Sequence, residues 1–228
     1  ELKRLEKRIG RVHLQQRLGI EADHATQVFG RGRTLFHIEN WYSIHSLIRL
    51  SLRCFGLYRR GVRNAADIQI RHNEVVIPRL PAVFNGFTLL HLSDLHLDMD
   101  PDFPAALIKR LRQVNYDVCV MTGDFRAKTF GAYEDALTAL AEVRVHLHSP
   151  IYAILGNHDS IRMTPGIEAL GMSLLLNESV ALERGGAFIH LAGIDDPHYF
   201  QVDNFDKAAA NIPPDAIAIL LSHSPETY

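Results

Sequence analysis

Four short apolar runs stop abruptly at side chains able to hold a cation, and this repeated exit pattern restricts the fold more than any other feature of the chain. Residues 89–93 run into Asp94-Leu95-His96, and residues 118–122 into Gly123-Asp124. Residues 152–155 run into Gly156-Asn157-His158-Asp159, and residues 217–221 into Ser222-His223. Between them lie segments of helical period at residues 104–114 and 133–147, with further strands expected near 173–176 and 187–192 and a helix near 204–211. Apolar strands alternating with helices indicate an α/β domain. In open α/β sheets, ligands gather just outside the carboxyl ends of strands, so four such ends can converge on one crevice. Upstream, the β-branched stretch 68–77 predicts a further strand, followed by turn punctuation at Pro78, Pro81 and Asn85-Gly86.

The residue types at these exits share one chemistry. Carboxylate, imidazole and carboxamide groups are hard and borderline ligands suited to Mn, Fe or Zn, and no cysteine cluster suggests a structural zinc site. In Asp94-x-His96 the i, i+2 spacing directs both side chains the same way if the backbone stays extended. Gly123 permits a tight strand exit, and a carboxylate at Asp124 has two oxygens with which to bridge two cations.

Taken in order, D-x-H, then G-D, then G-N-H-D, then a later H, residues 87–228 resemble the calcineurin-like metallophosphoesterases. The resemblance implies a four-layer sandwich of two mixed β-sheets flanked by helices. Helical period and basic charge predict an N-terminal helical appendage at residues 1–66, with the phosphoesterase domain from residue 67. The resemblance also implies two divalent metal ions, Mn foremost with Fe or Zn as alternatives. Asp94 and His96 would bind the first, Asp124 both, and Asn157 and His223 the second. His158 would be catalytic, steadying the transferring phosphoryl group or protonating the leaving oxygen, with Asp159 as the hydrogen-bond partner of its imidazole. Arg126 and Arg162, flanking the motifs, are candidates for substrate phosphate contacts. The family pattern closes with G-H-x-H, which this sequence lacks, so the domain is expected to be missing its C-terminal part.

Charge is distributed unevenly. Residues 1–63 hold 13 Lys/Arg against 5 Asp/Glu, whereas the rest holds 11 against 21. A helix expected over residues 41–60 would place Trp41, Ile44, Leu47, Ile48, Leu52, Phe55 and Tyr58 on one side and Arg49, Arg53 and Arg60 opposite, at about 100° per residue. Such a helix suits an anionic membrane surface, or else packs on its own domain. No nucleic-acid motif accompanies the arginines. No apolar run approaches the roughly 20 residues that span a bilayer. The two cysteines, Cys54 and Cys119, fit a reducing compartment rather than a disulfide framework. Together these features predict a cytoplasmic protein, peripheral on the cytoplasmic membrane face. It would hydrolyse a phosphate-containing substrate such as a lipid-linked pyrophosphate, similar to those cut by UDP-2,3-diacylglucosamine pyrophosphatases. The alternatives are a soluble phosphodiesterase or phosphomonoesterase, and a non-catalytic binding module that retains the fold.

Overall fold

Strand β2 (Val118–Thr122) is buried along its whole length, and its alternating side chains face two different cores. Val118 and Val120 join Ile154, Leu182, Ile189, Leu191 and Leu221 in a cluster between two sheets. Cys119 and Met121 point the other way, against Leu107, Leu140 and Val143 of the covering helices. Fully burying each such side chain contributes about 1.5–3 kcal/mol. This two-sided burial accounts for the uninterrupted apolar run.

The computed structural model describes residues 1–29, 42–148 and 150–225. The first sheet has the order β1 (Leu89–Leu92), β2, β3 (Ile151–Ile154), β4 (Ser173–Leu174), and is parallel throughout. Its crossovers carry α5 (Phe103–Leu111), α6 (Glu134–Arg144) and α7 (Thr164–Ala169). The second sheet has the order β5 (Glu178–Arg184), β6 (Ala187–Gly193), β7 (Ala218–Leu221), with β5–β6 antiparallel and β6–β7 parallel. A short helix, α8 (Phe205–Ala209), precedes β7. The architecture is therefore α/β with two sheets and flanking helices, as expected, although only the second sheet is mixed. The β5–β6 hairpin turns on Gly185-Gly186, both at positive φ, as a two-residue hairpin loop of this kind requires.

Several expectations fail locally. Residues 68–77 form no strand: they carry β-branched side chains but find no ladder partner among the described residues, and propensity alone does not pair a strand. Strand β5 was not anticipated. The helix expected over residues 41–60 is divided into α3 (Tyr42–Cys54) and α4 (Tyr58–Ala66) at Gly56, where φ is +69°. Trp41 lies outside the described residues. At the N-terminus the chain breaks at Gly10, where φ is +95°, giving α1 (Leu2–Ile9) and α2 (Arg11–Phe29).

These first two helices do not stand apart from the domain. Leu5, Ile9 and Leu14 are buried in the same cluster as Met121 and Leu155. Within the expected appendage, Leu2, Leu5, Ile9, Leu14 and Leu18 thus pack into the main core. By contrast Leu47, Ile48, Leu50, Phe55 and Leu57 on and after α3 are exposed.

Cys54 is exposed, whereas Cys119 is buried in β2 and burial pushes its thiol up to about 12. A thiol reagent is therefore expected to label one cysteine in the native protein and two in denaturant. Rapid labelling of both in the native state would contradict the packing of β2.

Candidate metal centre

The exits of β1, β2 and β3 meet through their backbones before any side chain is considered. The loop after β1 runs along the loop after β2: Asp94 N–H donates to Gly123 O (3.2 Å), His96 N–H to Asp124 O (2.9 Å) and Leu97 N–H to Phe125 O (2.9 Å). Asp94, His96 and Asp124 all sit at positive φ, at 53°, 40° and 58°. Such backbone costs roughly 1–3 kcal/mol per residue and persists only where the surroundings impose it. The extended geometry expected for Asp94-x-His96 is therefore absent, and the two side chains enter different groups of donors.

Gly123 and Gly156 make this convergence sterically feasible. A Cβ on Gly123 would lie 2.3 Å from the Gly156 nitrogen, and one on Gly156 would lie 2.2 Å from Asp124 Oδ1. Alanine at either position is expected to destabilise the fold by about 2 kcal/mol or more, measured by urea denaturation. A near-neutral effect at both would mean that the loops are not in contact.

Asp159 supplies the main fastening. Its fully buried carboxylate accepts hydrogen bonds from the backbone N–H groups of Asp124 (2.7 Å), Phe125 (2.9 Å) and Gly156 (2.9 Å), with a longer one from Arg126 (3.4 Å). It does not contact the His158 imidazole, which corrects the role expected for it. Buried carboxylates need such donors, and here the donors are the strand exits themselves.

Three imidazoles hang from the β2 exit by the same device. His223 Nδ1–H donates to Thr122 O (2.7 Å), His96 Nδ1–H to Arg126 O (2.8 Å) and His158 Nδ1–H to Ala127 O (2.8 Å). A carbonyl can only accept, so each Nδ1 carries a proton, and a ring with no second proton would present its Nε2 lone pair. All three Nε2 atoms face Asp124, His96 at 3.7 Å, His158 at 3.8 Å and His223 at 3.5 Å.

Two groups of donors result. His96, Asp124 and His158 form one, and Asp94, Asp124 and His223 the other, with ligand atoms within 4.8 Å of one another in each. Asp124 belongs to both. Asn157 Oδ1 lies 2.8 Å from His223 Nε2, which brings a carboxamide oxygen, an imidazole nitrogen and a carboxylate together. Burial pushes the Asp124 carboxyl up, the Asp159 charge adds to this, and His223 and His158 oppose it. Lone pairs converging on a carboxylate that is costly to bury as an anion fit divalent cations.

The two arginines behave differently. Arg126 is 3 % exposed, and its guanidinium donates to the carbonyls of His158 (2.5 Å), Gly131 (3.0 Å) and Thr129 (3.0 Å). It clamps its own loop and is not free for the phosphate contact expected of it. Arg162 is exposed beyond the site, in the turn after Asp159.

The sequence reading missed three residues of α2. His13, Arg17 and Glu21, four residues apart, form an inward polar line. His13 Nε2 donates to Asp195 Oδ2 (2.7 Å), and Arg17 lies 3.3 Å from Asp195 Oδ1. Burial alone would raise the Asp195 carboxyl, but the Arg17 charge and the His13 hydrogen bond outweigh it and hold it below its ordinary value. Asp195 lies in this cluster rather than among the metal donors.

A depressed folded-state value contributes stability that is present above about pH 4, the unfolded value, and is lost as pH falls through the folded one. The stability gap between wild type and Asp195→Asn is expected to be largest above about pH 5 and to shrink below about pH 4. A pH-independent gap would show that Asp195 does not titrate in this way.

Comparison with known proteins agrees with the geometry. The family model described as calcineurin-like phosphoesterase matches residues 87–227. A Bacillus subtilis protein named uncharacterized metallophosphoesterase YkoQ is 31% identical over 152 residues, 61% of this chain and 54% of the relative. Proteins from Bos taurus and Danio rerio, each named transmembrane protein with metallophosphoesterase domain, are both 28% identical over 72% of this chain and 41% of their own length. The chain thus spans about half the length, or less, of these relatives.

Proposed function

The chain belongs to the calcineurin-like phosphoesterase family, and from that premise we propose that it hydrolyses a phosphoester or pyrophosphate bond with the aid of two divalent metal ions. The observation that carries this reading is the Asp124 carboxylate shared between two groups of donors. Asp94, His96, Asp124, Asn157 and His223 would hold the ions. Such ions, when bound, lower the pKa of water and neutralise charge on phosphoryl oxygens. Mn is our first choice of metal, with Fe or Zn as alternatives.

The protein's own groups do the remainder. The carbonyl tethers fix each imidazole tautomer and orientation. His158, with Nδ1 committed to Ala127 O, would offer Nε2 to the transferring phosphoryl group or, when protonated, donate that proton to the leaving oxygen. Its proximity to His96 and Asp124 also allows a ligand role, and one variant separates the two. We expect His158→Asn to retain metal and to lose about 10²- to 10⁴-fold in kcat, with a smaller loss for a p-nitrophenyl ester than for an alkyl ester. Loss of metal in this variant would make His158 a ligand instead. Chelation is expected to abolish turnover, and Mn to restore it.

For the substrate, a lipid-linked phosphate at an anionic membrane surface is our reading, with the protein peripheral on the cytoplasmic face. Leu47, Ile48, Leu50 and Phe55 are exposed around Arg49 and Arg53, an arrangement suited to insertion among headgroups. The names of the two vertebrate relatives support membrane proximity. Among the described residues no helix is long and apolar enough to cross a membrane. Wild type is expected to sediment with vesicles containing anionic lipid, and Arg49/Arg53/Arg60→Glu to remain in the supernatant. Identical partitioning would leave the soluble phosphodiesterase or phosphomonoesterase reading. A metal-loaded protein inert towards monoesters, diesters and nucleotide-lipids alike would favour the binding module.

A further inference from the structure

Arg17 of α2 is fully buried, yet it is directed at backbone carbonyls rather than at the substrate side of the metal centre. Its Nη2 donates to Asp159 O (3.0 Å) and, at 3.3 Å, to Gly156 O. These are the first and last residues of the tetrapeptide that carries Asn157 and His158. The guanidinium lies 3.7 Å from the Phe200 ring centroid and 3.3 Å from Asp195 Oδ1, so it is held on a second side by stacking and on a third by charge. One turn further along α2, Glu21 accepts from Ser160 Oγ (2.6 Å) and Ile161 N–H (2.7 Å), and so fastens the two residues that follow the tetrapeptide.

The Asp159 carboxylate grips the same tetrapeptide from the other side, through Gly156 N–H and the amides of the β2 exit. With both ends of the loop fastened, the positions left for Asn157 and His158 are set by α2 as well as by the sheet. Burying a guanidinium costs several kcal/mol unless its charge is paired, so an apolar side chain would fill this space at lower cost if packing were its sole purpose. A guanidinium places one nitrogen, Nη2, on both carbonyls, another, Nη1, beside Asp195 and its plane on the Phe200 ring, which a single ammonium cannot do at once.

We propose that Arg17 is a positioning residue for the metal centre: through the Gly156 and Asp159 carbonyls it fixes Asn157 and His158, and it thereby makes α2 part of the catalytic apparatus. The proposal rests on the metal-dependent reading of the site. Removing such support typically weakens metal binding about 10- to 100-fold.

The test compares wild type, Arg17→Lys, Arg17→Met and, as a control, Arg8→Met. Arg8 is also an N-terminal guanidinium in an ion-pair network, but its partners are Glu168, Glu178 and the Leu174 carbonyl. Calorimetric titration with Mn, the Co(II) electronic spectrum and the thermal midpoint are measured for each. Both Arg17 variants are expected to weaken at least one binding event by about tenfold or more, to shift the Co(II) bands and to lower kcat more than they raise KM. Arg8→Met is expected to lower the thermal midpoint and leave the metal readouts unchanged.

If Arg17→Met does not fold, Arg17→Lys, which keeps a cation beside Asp195 but lacks the fork, decides the matter. Binding within twofold of wild type with an unchanged Co(II) spectrum in Arg17→Lys overturns the proposal. So does equal weakening in Arg8→Met, because the effect would then follow from stability alone. A wild type that takes up no metal would instead sink the phosphoesterase reading, and this proposal with it.

Discussion

One buried carboxylate joins the strand exits of this protein. Asp159 gathers the amides of Asp124, Phe125 and Gly156 at 2.7–2.9 Å and draws the ends of β2 and β3 together. The other features of the centre depend on that junction. Gly123 and Gly156 allow the approach, and positive φ is tolerated at Asp94 and His96 because the β2 exit accepts their N–H groups, and at Asp124 because the Asp159 carboxylate does. The cost of burying a charge is offset by backbone donors that would otherwise be unsatisfied at a chain reversal. Stability and chemistry thus share one set of atoms.

The polarity of the centre follows from the β2 exit. Thr122, Arg126 and Ala127 each offer a carbonyl to a histidine from a different part of the chain, so the imidazoles are oriented by main chain rather than by other side chains. Main-chain acceptors do not titrate, so these anchors do not themselves respond to pH. Asp124 lies at the focus of three Nε2 atoms, which explains how one carboxylate serves both groups of donors.

How much of this could be read in the sequence follows from what each residue contacts. The convergence of Asp94, His96, Asp124, Asn157, His158 and His223 was legible because apolar strands, three in the first sheet and β7 in the second, end in polar side chains. The role of Asp159 was not, because its partners are amides, which every residue carries and no pattern distinguishes. Arg126 looked available for phosphate because only the folded loop brings three carbonyls to it. Residues 68–77 had the composition of a strand but lacked a partner. Strand β5 was missed although its inward side, Val180 and Leu182, alternates with Ser179, Ala181 and Glu183, because the small apolar Ala181 weakens the polar half of the pattern. The line of His13, Arg17 and Glu21 had a visible signal in its four-residue spacing, but its target lies in another element of the chain.

That last separation bears on how the protein is made. The carbonyls that receive Arg17 lie 139 and 142 residues downstream, and the Asp195 carboxylate beside it lies further still. During synthesis α2 emerges from the ribosome well before the loop it will clasp, so the partners of its buried guanidinium are all supplied later in the chain. Arg17 therefore finds its carbonyl acceptors only once residue 159 has been made, and the charge that balances it only once residue 195 has followed.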